Sequence, residues 1–295
     1  MTKKILLSIF SGVLFALPQT SMAQHYNSDS TWVTGGHIGL HINQVQQSNW
    51  SAGGDNLFGG NLMLNYSANY KKGKHLWDNR LELEYGTNIT EADGTRKTSD
   101  KIYLSSNYGY LLCENLYLSG TLLYQSQFAN GYNYGKDGAD DLLVSTFMAP
   151  GYLTIGAGLT WTPKPWFKST LNPAAYKGVF LLDDVLSEEG GFGVKPGDKH
   201  QAQFGANLTL EVNKDILKNV NLYSRVLLYS NYLENPQNVD VNWEVKVHMS
   251  INKWLSASVN TNLIYDDDID IVDGKKKGPK VQFQEVLGFG LQFTI

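Results

Sequence analysis

Val281–Ile295 reads VQFQEVLGFGLQFTI. Val281, Phe283, Leu287, Phe289, Leu291, Phe293 and Ile295 share one parity; Gln282, Gln284, Gly288, Gly290, Gln292 and Thr294 share the other. A period of two is a β-strand with one apolar face and one polar or small face. A water-soluble sheet rarely leaves so long and apolar a strand as a possible edge. A closed barrel in a membrane has no edge and needs an apolar outer face. Glu285 shares parity with the apolar residues. Either it sits at the outer interface, where a charge costs little, or a bulge shifts the register there.

Eleven earlier segments alternate in the same way, at Trp32–Asn43, Leu57–Tyr70, Trp77–Thr90, Lys101–Leu112, Leu116–Phe128, Pro150–Trp161, Trp166–Tyr176, Gln201–Val212, Val220–Tyr232, Val239–Ile251 and Leu255–Tyr265. The clearest sets Val241, Trp243, Val245, Val247, Met249 and Ile251 against Asn242, Glu244, Lys246, His248 and Ser250. The seventh is the weakest, because Pro173 interrupts it. The sum is about twelve strands, an even number that a single-chain barrel allows.

The connections sort by parity. Those after the second, fourth, sixth, eighth and tenth strands are short, at Lys71–Lys74, Cys113–Asn115, Thr162–Pro165, Asn213–Asn219 and Asn252–Trp254. The others are mostly longer, ending with Asp266–Lys280. Short turns on one side and long loops on the other describe an antiparallel up-and-down transmembrane β-barrel. Trp77, Tyr110, Trp161, Trp254, Tyr265 and Phe293 fall at strand ends, as aromatic girdles do.

The N-terminus reads as an export signal over residues 1–23. Lys3 and Lys4 precede the apolar run Ile5–Leu17, and Ser21-Met22-Ala23 offers a cleavage site. The mature chain then begins at Gln24 and forms one barrel domain, 24–295. The mean hydropathy of -0.28 and the wealth of Tyr, Phe, Trp and Gly suit strands whose two faces meet different solvents. A single cysteine, Cys113, rules out an internal disulfide. The formal net charge of -4 gives no reason to expect a nucleic-acid partner.

With the apolar parity facing lipid, the other faces the lumen. It carries Arg80, Glu82, Glu84, Glu211, Arg225, Glu244, Lys246 and His248. These residues either fill and hydrate the interior or form a charged constriction that selects solutes. His37 and His41 also face inward, but with Gly39 between them they are spaced too far for a shared metal. His41 or His248 beside a serine is the only hint of nucleophilic chemistry, and no G-x-S-x-G motif exists. The aspartates of Asp266–Asp273 lack the D-x-D-x-D-G pattern of a calcium loop, so a solvated acidic loop is expected.

Gly290, Phe293 and Ile295 resemble the C-terminal signal that bacterial outer-membrane barrels present for assembly. Asn49-Trp50-Ser51, Gly53-Gly54 and Asn56 resemble the start of a Bacteroidetes-type outer-membrane barrel family of unknown function. Asn172-Pro173, Lys177-Gly178, Leu181-Leu182-Asp183-Asp184 and Gly190-Gly191-Phe192-Gly193-Val194 look like it as well. The resemblance implies a fold and a location in the cell outer membrane, not an activity. The expected partners are outer-membrane lipid, the barrel-assembly machinery and small solutes. No cofactor is expected. A narrow passive channel or a structural barrel is the leading expectation, ahead of a lipid-acting enzyme or a surface docking or complex subunit.

Overall fold

A computed structural model describes residues 31–45, 57–90, 93–135, 140–273 and 276–295. The export signal and the Trp50 loop lie outside the described residues. In chain order the elements begin with β1 (Trp32–Val45), β2 (Leu57–Lys72), β3 (His75–Thr90), β4 (Gly94–Cys113) and β5 (Leu116–Ser126). A small hairpin, β6 (Gly131–Asn133) and β7 (Leu142–Ser145), precedes β8 (Gly151–Lys164) and β9 (Phe167–Phe180). One short helix, α1 (Asp184–Glu189), leads to β10 (His200–Leu217), β11 (Val220–Asn231), β12 (Asp240–Ser250) and β13 (Leu255–Tyr265). A second hairpin, β14 (Asp270–Asp273) and β15 (Lys276–Pro279), precedes β16 (Gln282–Thr294).

Twelve of these strands close a barrel in the order β1-β16-β13-β12-β11-β10-β9-β8-β5-β4-β3-β2, every neighbour antiparallel. The two small hairpins stand apart from it. Closure runs through the terminal stretch: His37–His41 pair with Gly290–Thr294. The Gly36 and Ile295 backbones then exchange two 2.9 Å hydrogen bonds. Five tight turns at one end join β2–β3, β4–β5, β8–β9, β10–β11 and β12–β13. Gly73, Asn115 and Asn219 take positive φ there, the conformation two-residue hairpins require.

The outer wall carries the apolar parity. Leu40, Leu62, Leu104, Leu118, Ile155, Leu159, Phe204, Leu287 and Phe289 are all exposed there. So continuous an apolar surface is unstable in water and stable in hydrocarbon. At the short-turn end, exposed aromatics gather: Trp32 stacks near Tyr70 and Trp77, and Trp161 and Trp166 both meet Phe167 edge-on.

Three sequence expectations change. Glu285 pairs with Thr261 in unbroken register and points outward, so no bulge turns it away from the lipid side. The connection after the third strand shortens to residues 91–93, because β4 begins at Gly94 and absorbs Thr98 as an extra residue opposite Gly86 and Thr87. Pro173 does not weaken the seventh strand but bulges it. Leu171 and Ala174 face Leu159 and Ala157, while Asn172 and Ala175 face Asn207 and Gly205, so β9 carries one residue more than either neighbour. A bulge suits a residue with no N–H to donate. Its cost in space is met at Gly158, where a Cβ would strike the backbone of Leu171 and Asn172.

Candidate functional site

The bulge reverses the parity of β9. Lys168, Thr170 and Asn172 face the lumen before it, and Ala175, Lys177 and Val179 after it. One strand thereby delivers a lysine to each half of the bore.

Arg80, Glu82, Glu84, Glu211, Arg225, Glu244, Lys246 and His248 lie on the inner wall, and several meet at mid-height. Glu82 receives Arg80 at 2.6 Å, Lys101 at 2.7 Å and Lys246 at 2.8 Å. Glu244 receives Lys101 at 2.9 Å, Lys246 at 3.0 Å and Arg225 at 3.2 Å. The Arg80 guanidinium lies 4.0 Å over the Tyr223 ring and that of Arg225 4.2 Å over Tyr103. Glu82, Glu244, Arg225, Tyr103 and Tyr223 are all buried. Four cations face two carboxylates, a formal excess of two positive charges at neutral pH.

These contacts cross the bore. β4 and β12 lie six steps apart in either direction round the wall, as do β3 and β11. An extended lysine and glutamate together fall short of the diameter of a round twelve-stranded barrel, so the section is drawn in along this line. Space remains on both sides of this line, against His37, His41, Met63 and Asn260 on one and Leu123, Thr170 and Asn207 on the other.

Glu211 joins another group nearer the short turns, where Lys168 lies 3.5 Å from it and 3.4 Å from Asp78. Glu84 accepts a 2.7 Å hydrogen bond from Asn61. His248 stacks 6.0 Å from His37 and lies 3.3 Å from the Ser250 hydroxyl. The His41 ring packs over Gly288.

Among the described residues, the bore holds two large cavities. One of about 1010 Å³ runs from the short-turn end past the charged network. The other, about 870 Å³, lies beneath α1, the Gly190–Pro196 segment and β7. Both are lined by Leu123, Thr154, Asn207 and Leu227, which therefore form the neck between them.

The long-loop end is not open water. Ala149, Val179, Leu181, Leu186 and Val194 form a small apolar core, with Leu143, Tyr152 and Phe192 against it. The acidic run expected to be solvated is folded inward. Lys177 binds Asp240 at 2.7 Å and Asp266 at 3.2 Å, and Gln203 donates to Asp268 at 2.6 Å. Burial, then Asp266 and Asp267, raise the Asp268 carboxyl above its ordinary value.

A closed antiparallel barrel with an apolar outer wall and a charged lumen has the fold of outer-membrane β-barrels. A family described as "Protein of unknown function (DUF3078)" matches residues 42–132. No curated protein matches the chain. An outer-membrane channel from Pseudomonas putida F1 is similar at 13% identity, covering 94% of this chain and 100% of its own, with a TM-score of 0.40. The NanC porin is similar at 9% identity over 88% of this chain and 99% of its own, TM-score 0.39. The translocator domain of the autotransporter NalP from Neisseria meningitidis is similar at 11% identity over 91% and 90%, TM-score 0.37.

Proposed function

We propose that this protein is a narrow outer-membrane channel for small solutes, not an enzyme. The observation that carries the reading is the pair of cavities that meet at Leu123, Thr154, Asn207 and Leu227 beside a charged network. Charges on facing walls select ions by sign, and a neck with Leu123 and Leu227 on its wall narrows the passage and disfavours water there. The two surplus positive charges favour anions at mid-bore, and the neck holds conductance low.

The remaining identity follows from the same reading. The precursor loses residues 1–23 on export, and Gln24–Ile295 inserts into the outer membrane of a Gram-negative cell, as a member of a Bacteroidetes-type family. The short turns face the periplasm. Gly290, Phe293 and Ile295 are presented to the assembly machinery, and membrane lipid covers the outer wall.

Single-channel recording of folded Gln24–Ile295 in a planar bilayer tests the function. Discrete small openings with an anion preference that changes in Arg225→Gln and Glu244→Gln are expected. A folded barrel that stays silent under all voltages would make the lumen a structural filling.

A further inference from the structure

The cavity at the long-loop end has a chemistry that permeation does not need. One side is apolar, built from Leu143, Leu186, Phe192, Val194 and Ile264. The other is acidic, with Asp240, Asp266 and Asp268 on its wall. Among the described residues lining it, four carboxylates, these three and Glu189, face two lysines, Lys177 and Lys195. Two negative charges are therefore left unbalanced in a partly enclosed space.

An independent feature marks the same place. Tyr229 lines the cavity, is only 4% exposed, and pairs in register with Asp240. Its enclosed hydroxyl has no hydrogen-bond partner. Buried polar atoms are nearly always paired, so an orphan beside a cavity points to a ligand atom or a bound water. The Tyr229 ring already carries a cation, with Lys177 Nζ 5.1 Å from its centre.

A metal ion fits poorly. Asp240, Asp266 and Asp267 bring oxygens within 4.8 Å of one another. Lys177 already binds two of these three, and a divalent ion would sit against that ammonium. The apolar wall would also be idle in a metal site.

We propose that this cavity binds a small amphipathic cation: a protonated amine on an apolar or aromatic body. The ammonium donates to Asp268 and to the Tyr229 oxygen, and the body lies against Leu186, Phe192 and Val194. The volume of about 870 Å³ is ample for a molecule of that kind. The positive network at mid-bore repels such a ligand, so it is held and not passed. The inference concerns binding and stands whether or not the barrel conducts.

The test is calorimetric titration of the folded protein in detergent with 2-phenylethylamine and with hexylamine. Phenylacetate and hexanoate serve as anions of matched body. Saturable binding of an amine and none of the anions is expected. Asp268→Asn keeps an oxygen for Gln203 and leaves the Lys177 bridges intact, and it should weaken amine binding about tenfold, the worth of one charge-assisted hydrogen bond. Tyr229→Phe removes only the unpaired hydroxyl and should weaken binding less. Folding of each variant is checked by heat-dependent gel mobility. Absence of saturable binding by either amine, equal binding of the anions, or full affinity in a folded Asp268→Asn variant would each overturn the proposal.

Discussion

Lys101 and Glu244 lie on diametrically opposite strands, β4 and β12, yet their side chains meet at 2.9 Å. A barrel wall is held by its backbone ladder, which needs no contact across the bore. This ion pair therefore sets the shape of the lumen and not its existence. It draws two walls together, while the residues that line both cavities lie on β5, β8, β10 and β11.

Glu82, like Glu244, is bonded to three cations in that network, and at the shorter distances. Glu82→Gln leaves four cations with one carboxylate. Removing one partner of a buried ion pair costs about 3 kcal/mol or more. The variant should unfold at lower urea concentration and, in a bilayer under a salt gradient, show a reversal potential shifted further toward anion selectivity. An unchanged reversal potential would remove the network from the conduction path.

Leu123 and Leu227 line both cavities and bring apolar surface to the neck. Truncating either to alanine widens the neck and makes it easier to wet. Single-channel conductance should rise in each variant and further in the double variant. Equal conductance in all of them would place the narrowest point elsewhere.

Gly158 faces the bulge that Pro173 introduces, with no room for a side chain. Gly158→Val forces the β8 and β9 backbones apart. Destabilisation of about 3 kcal/mol is expected, the upper range for a single substitution. Urea-gradient refolding into detergent measures it. Wild-type stability in the variant would mean that the bulge moves freely.

How much of this was legible in the sequence depended on where parity stayed constant. Val241–Ile251 and Val281–Ile295 alternate without a break, and their faces read directly. Along β9 the bulge at Pro173 exchanges the faces, so counting from one end assigns only one of Lys168 and Lys177 to the lumen. Lys101 begins the fourth alternating segment on the inward parity, at a strand end where alternation has only just started. Alternation alone puts Arg80, Glu82, Glu84, Glu211, Arg225, Glu244, Lys246 and His248 on one face. That Glu82 meets Lys246 was not legible in it, since the two are 164 residues apart and on facing walls. Alternation assigns a residue to a face and carries no information about which wall stands opposite.

Glu285 stays on the outward face with apolar neighbours and no bulge. A carboxylate facing hydrocarbon is unfavourable, by about 1 kcal/mol or less close to the interface and more with depth. Glu285→Leu should raise the unfolding free energy of the barrel by that amount, read as a higher urea midpoint in lipid vesicles. A fall in stability would show that the side chain is paired at the membrane surface.

Asp268 supplies a pH dependence with a definite sign. Its folded-state carboxyl is raised above its unfolded value, first by burial and then by Asp266 and Asp267, with Lys177 and the Gln203 hydrogen bond acting the other way. The native state therefore binds this proton more readily than the unfolded chain does. The carboxylate is a cost to stability at neutral pH. That cost is relieved as pH falls through the folded value, and stability declines as pH rises through it. Amine binding runs in the opposite sense, because protonation removes the charge that attracts the ligand. As pH falls through the folded value, the wild type should gain urea midpoint relative to Asp268→Asn while losing 2-phenylethylamine affinity relative to it. Amine affinity that holds constant across this range in the wild type would take Asp268 out of the site.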